Sequence, residues 1–245
     1  MEDYIKNTIQ CMQVLHLLKI PDFVSLINLL FGMAAIFFAF NDSYSIAAAC
    51  LLIAAAADGA DGYIARKTSG GPLGEHIDSL VDTVSFGVAP AVLIYCMGGT
   101  ALSILIVCFY LICGVLRLAR YNAFPSHEPK YSGIPITGAC VFIASFVLLF
   151  DKLAQLSIEI QYGIEFFYGL MFILSLLMIS TVSYPKVMKK MTFAVLIFFF
   201  SATIISIFIE NIYFSLFPGI LCLMMLIYLF TPIIGLGLKK NLVKL

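Results

Sequence analysis

Apolar residues run along this chain in stretches too long and too continuous for the buried stripe of a soluble helix, and the breaks between them carry most of the charge. An α-helix needs about 17 to 25 mostly apolar residues to cross the hydrocarbon of a bilayer. Eight stretches qualify: Phe23 to Phe40, Tyr44 to Ala65, Ile77 to Met97, Ala101 to Tyr121, Ile134 to Phe150, Ile164 to Tyr184, Met191 to Ile209 and Phe214 to Gly237. The pattern predicts an all-α integral membrane protein of about eight transmembrane helices. Ahead of them, Ile5, Ile9 and Met12 recur at helical spacing among Lys6, Asn7, Gln10 and Gln13, which predicts an amphipathic surface helix over residues 1–20 that Pro21 ends. No domain boundary shows itself, so residues 1–245 read as one membrane domain. Two connectors are long enough to be irregular, Asn122 to Gly133 and Asp151 to Tyr162. The first, with Pro125, His127 and Pro129, is a candidate lid.

Composition agrees: 62% of the residues are hydrophobic, 11% are charged and none is Trp. A net charge of zero gives no reason to expect a nucleic-acid partner. The seven cysteines lack CxxC spacing and, apart from Cys11, fall inside apolar stretches, as packing residues do. The acidic start Met1-Glu2-Asp3, with no small-residue cleavage site after it, argues against a signal peptide. In the eight-span arrangement thirteen of the fourteen Lys and Arg fall on one side, leaving Lys152 alone on the other. The positive-inside rule then predicts that both termini are cytoplasmic.

Against this background Asp58, Asp61, Asp78 and Asp82 stand out. Ionisable groups at membrane depth are costly and survive with a partner or a wet cavity. At ~100° per residue, Asp58, Asp61, Gly62 and Ala65 share one helix face, and Gly74, Asp78 and Asp82, four apart, share another. If the segment from Lys67 to Leu73 folds the second helix back on the first, the four carboxylates converge near the cytoplasmic surface. Such an oxygen-rich set, without Cys or His at ligand spacing, suits Mg²⁺ or Mn²⁺. The small residues leave room for a flat or phosphate-bearing ligand, although they also suit close packing between membrane helices.

The string Asp58-Gly59-Ala60-Asp61-Gly62-Tyr63-Ile64-Ala65-Arg66, followed by Gly74, Asp78 and Asp82, resembles the signature of the CDP-alcohol phosphotransferase family. Every fixed position is filled, while the spacer between Arg66 and Gly74 is one residue shorter than the family's usual form. The resemblance implies a CDP-activated lipid donor with CMP as leaving group, and two divalent ions held by Asp58, Asp61 and Asp78. It gives Asp82 the role of base, also within reach of metal. It further implies that Asp58, Gly62, Ala65, Arg66 and Gly74 bind nucleotide and phosphate, and that the chain forms a homodimer.

Asp78 to Pro90, Arg117-Leu118-Ala119-Arg120-Tyr121-Asn122 and Tyr131-Ser132-Gly133-Ile134-Pro135 resemble the bacterial and archaeal phosphatidylserine synthase branch. So does Ile20-Pro21-Asp22 leading to Asn28. Thr83, after the last Asp, fits an acceptor without phosphate. The branch implies transfer of a phosphatidyl or archaetidyl group to the hydroxyl of L-serine, at an active site on the cytoplasmic face. Arg117, Arg120, Tyr121 and Asn122 are then candidate serine contacts, Arg120 foremost, because a guanidinium pairs bidentately with a carboxylate. Their alternative role is snorkelling at a helix end. Two other functions stay open: the same chemistry with glycerol phosphate or inositol phosphate as acceptor, and a divalent-cation transporter lined by the four Asp. The resemblance spans roughly residues 20–136, taking in the helices of residues 23–121, and thins over the last three of the helices in residues 134–237.

Overall fold

A computed structural model describes residues 16–68, 71, 73–124, 130–155, 163–185, 190–207 and 216–242. Most of the predicted amphipathic helix and the tip of the candidate lid, residues 1–15 and 125–129, lie outside these. Eight helical rods run through the described residues: α1 (Ile20–Phe40), α2 (Tyr44–Thr68), α3 (Gly74–Gly98), α4 (Ala101–Ala123), α5 (Ile136–Gln155), α6 (Gly163–Ile179), α7 (Lys190–Ser206) and α8 (Leu216–Leu242). The first five are long and apolar enough to cross a membrane. Gly163–Ile179 and Leu216–Pro232 form shorter apolar helical stretches. The chain is all-α in its spans and consistent with a multi-pass membrane protein.

Pro21 sits in the first turn of α1, where a missing N–H costs nothing, and Asp22 Oδ2 accepts from the Lys19 backbone N–H at 2.7 Å, capping the helix start. The reversal into α2 takes only three residues, with Asp42 in the left-handed region at φ 57°. Tyr44 Oη donates to Asp42 Oδ1 and to the Cys96 carbonyl, tying this turn to the end of α3. Ala35, Ala39, Ala47 and Ala48 are fully buried, so α1 and α2 pack backbone to backbone.

α3 is not uniform. Gly74–Asp82 is α-helical, Thr83–Val88 makes a π-helical turn, and Ala89–Gly98 is α-helical again. Pro90 supplies the cause: it has no N–H for the Phe86 carbonyl, and its ring crowds that group. The ladder widens instead, with the Ala89 N–H donating to Val84 O. The carbonyls set loose are taken up by neighbours, Phe86 O by the fully buried Tyr110 hydroxyl at 3.0 Å and Ser85 O by Cys140 Sγ at 4.0 Å. A Cβ on Gly32 would collide with Ser85, so α1 meets the π turn where it has no side chain.

The sixth predicted span ends early. α6 stops at Ile179, and Ser183–Pro185 forms a short strand, β2, antiparallel to β1 (Lys130–Ser132), with Tyr131 opposite Tyr184. The connector expected to be irregular therefore contains a strand. Tyr184 is fixed further by donating from its hydroxyl to Leu229 O in α8. The other predicted irregular connector begins later than expected, because α5 stays helical through Gln155.

Candidate active site

The carboxylates of Asp58 and Asp61, near the end of α2, and of Asp78, in the first turns of α3, offer ligand oxygens all within 4.8 Å of one another. Carboxylates held this close at a membrane span favour a cation that balances them. The surrounding helices fix the carboxylates from outside. Ser25 of α1 donates from its hydroxyl to Asp61 Oδ2 at 2.7 Å, and Thr137 of α5 donates to Asp58 Oδ2 at 3.1 Å. Each contact leaves other lone pairs of that carboxylate available, and an all-oxygen set of this kind fits a hard divalent cation.

Asp82 lies one turn deeper than Asp78. It is 7% exposed, and its Oδ1 is buried without a hydrogen-bond partner. Asp58, Asp61 and Asp78 all act on it electrostatically, while the group within 4.8 Å comprises those three without Asp82. Arg117 of α4 is also buried and interacts electrostatically with Asp58 and Asp82.

Arg120, one turn on, is placed differently. Its guanidinium donates to the carbonyls of Ser132, Ile179, Met178 and Ser180, at 2.6 to 3.3 Å. It therefore caps the end of α6 and holds the β1 connector against it. The expectation that Arg120 leads in binding an acceptor carboxylate meets a guanidinium already committed to backbone oxygens, whereas Arg117 faces the carboxylates. Asn122 is exposed and donates to Ser79 Oγ at 2.8 Å, joining the end of α4 to α3 beside Asp78. Tyr121 is exposed.

Among the small residues, Gly62 and Ala65 are partly exposed on α2. Gly74 touches a different partner: a Cβ there would stand 3.0 Å from Asp22 Oδ1, and one on Gly71 would stand 3.1 Å from Asp22 Oδ2. These two glycines let the turn between α2 and α3 close over the buried start of α1. The Arg66 side chain lies outside the described residues.

Sequence reasoning gave no site role to Ser25 and Thr137, or to Asp22 and Asn28 beyond their place in the resemblance. A signal was present for α1: Ser25, Asn28 and Gly32 fall at i, i+3 and i+7, a polar and small stripe on an otherwise apolar helix. Thr137 gives no such signal.

Comparison with known proteins agrees with this geometry. Residues 18–176 match the family model described as CDP-alcohol phosphatidyltransferase. The chain belongs to this family. It is 33% identical over 182 residues to the archaetidylserine synthase of Methanothermobacter thermautotrophicus, an alignment covering 71% of this chain and 73% of the relative. It is 30% identical over 214 residues to the CDP-diacylglycerol–serine O-phosphatidyltransferase of Methanocaldococcus jannaschii, covering 86% and 92%. The protein of that name from Helicobacter pylori is 33% identical over 177 residues, covering 69% and 73%. Membership makes this chain a membrane-embedded CDP-alcohol phosphotransferase of phospholipid synthesis. Enzymes of this family depend on a divalent metal, and the Asp58, Asp61 and Asp78 oxygens fit one.

Proposed function

We propose that this chain transfers the lipid phosphoryl group of a CDP-activated lipid to the hydroxyl of L-serine, releasing CMP. The observation that carries the proposal is the pairing of a tight carboxylate cluster with one buried guanidinium. The cluster receives a diphosphate through cations, and Arg117 offers a positive partner to an acceptor that bears its own carboxylate. The names of the three relatives all point to serine.

In this reading Asp58, Asp61 and Asp78 hold two Mg²⁺ or Mn²⁺ ions, which when bound neutralise charge on the diphosphate. Gly62 and Ala65, with Arg66 and Gly74 as the resemblance implies, border the cytidine and its phosphates. The serine hydroxyl oxygen bonds to the lipid-bearing phosphorus, the bond from that phosphorus to the CMP oxygen breaks, and the hydroxyl proton passes to Asp82. An alcohol needs such an acceptor because its pKa lies far above neutrality. The lipid tails remain in the bilayer while the head group reaches the aspartates.

The one-sided distribution of Lys and Arg supports a cytoplasmic position for the cluster and both termini. The homodimer rests on the family resemblance. Transport of the cation is the weaker reading. Among the described residues the other acidic side chains sit at the two ends of the bundle, Asp22 and Glu75 with the cluster and Asp42, Asp151 and Glu165 opposite, and mark no path across it.

The test is CMP release by the purified chain supplied with Mg²⁺ or Mn²⁺ and either CDP-diacylglycerol or CDP-archaeol. Each donor is offered with serine, glycerol phosphate, inositol phosphate and ethanolamine. Release with serine alone supports the proposal, and release with a phosphorylated alcohol in preference to serine refutes it.

A further inference from the structure

Asn28 lies in the middle of α1, is 0% exposed, and has no hydrogen-bond partner for either Oδ1 or Nδ2. A buried carboxamide left in that condition costs free energy of the order of 1 to 3 kcal/mol. Its surroundings indicate what it serves. One turn before it, Ser25 holds Asp61; one turn after it, Gly32 abuts Ser85; and the Asn28 carbonyl itself accepts from Ser85 Oγ at 3.2 Å. Asn28 therefore stands on the face of α1 that meets α2 at Asp61 and α3 at Ser85. Asn28 and Asp82 each carry a buried oxygen without a donor, on two helices that are joined at Ser85.

We propose that Asn28 Oδ1 and Asp82 Oδ1 form the subsite for the ammonium group of the acceptor, making Asn28 a specificity residue for a 2-amino alcohol. This rests on the serine reading above. An ammonium is three donors without an acceptor, which complements paired oxygens. In serine the ammonium and the hydroxyl stand on adjacent carbons. One carboxylate can then take both groups side by side: Asp82 Oδ1 takes the ammonium, and Asp82 Oδ2 receives the hydroxyl proton. Asn28 supplies the second ammonium contact without adding a fifth negative charge, which an Asp at that position would do. Arg117 is left to the acceptor's carboxylate. Each polar group of the amino acid then has a partner of opposite character on a separate helix.

The experiment uses the full chain with CDP-lipid and divalent metal, and compares L-serine with 3-hydroxypropionate, which is serine without its amine. In the unaltered protein, 3-hydroxypropionate should compete with serine only at concentrations about tenfold or more above the serine KM, the discrimination expected of a charge-assisted contact. Equal potency would overturn the subsite with no variant needed. Asn28→Leu, alike in branching and heavy-atom count, should raise the serine KM about tenfold or more while the 3-hydroxypropionate Ki and the CDP-lipid KM stay within about twofold. A parallel rise in serine KM and 3-hydroxypropionate Ki, or no rise in either, would show that Asn28 only shapes the interior. Should Asn28→Leu not fold, Asn28→Ser and the analogue comparison carry the same test. Failure of the serine reading looks different: the unaltered protein would release CMP with another alcohol and not with serine.

Discussion

The two ends of the helical bundle treat polar groups in opposite ways. At the end formed by the α1–α2 turn, the start of α4 and the end of α5, described polar groups find partners among themselves. Tyr44 serves Asp42 and Cys96 O, Thr100 caps α4 and meets the Tyr168 hydroxyl, and Lys152 and Asp151 share Gln155. At the other end, three carboxylates crowd together with Asp82 acting on them, and Asn28 and Asp82 keep buried atoms without partners. One end is arranged for stability alone. The other keeps buried polar atoms unpartnered beside its carboxylates, the pattern expected of a site prepared for a ligand.

The contrast can be broken most severely at Asp82. Asp82→Asn should lower turnover by about 10²- to 10⁴-fold, the range for removing a general base, without lowering the thermal unfolding temperature in detergent. Unaltered turnover would remove Asp82 from the chemistry. Asp58→Asn, Asp61→Asn and Asp78→Asn should likewise lose activity, and should also lose the shift in unfolding temperature that added Mn²⁺ gives the unaltered chain.

Arg117→Ala comes next, with the serine KM rising about 10- to 100-fold as a charge-assisted contact is lost, and Arg117→Lys recovering only part of it. Arg120→Ala should do the reverse. Losing the cap on α6 should destabilise the protein by about 1 to 3 kcal/mol, because several carbonyls lose their donor, while the serine KM holds. If Arg120→Ala raised the serine KM and Arg117→Ala did not, the assignment of the two arginines would be inverted. The smallest effect belongs to the far end. Tyr44→Phe should cost about 1 kcal/mol of stability and leave turnover unchanged. A fall in activity there would erase the distinction between the ends.

Much of this was open to reading from the chain alone. Apolar run length marked the eight rods because each needs only its own residues to declare itself. The Asp spacing pointed to the cluster because pairs three and four residues apart on adjacent helices each put both carboxylates on one face. What escaped depended on contacts between distant segments. Arg117 and Arg120 lie three residues apart and have the same chemistry, and only the position of the α6 end, reached some sixty residues later, separates their roles. The strand pairing of Lys130–Ser132 with Ser183–Pro185 was hidden for the same reason, since neither segment is long enough to signal a strand. Asn28 looked like one polar residue among leucines until its neighbours on α2 and α3 were in place.

The π turn in α3 has a consequence of its own. A regular helix has a single angular phase, so whichever direction its polar residues face fixes where its apolar residues must face all along its length. The widened turn at Thr83–Val88 is a phase slip. Before it, Asp78 and Asp82 are aimed at α2; after it, Leu93 and Ile94 are buried in the hydrocarbon core on a bearing of their own. The two halves of one rod can thus answer to two different surroundings, water and phosphate at one end and lipid and protein at the other. Removing a single residue from that turn would leave composition and hydropathy almost untouched, yet would swing one half about 100° relative to the other.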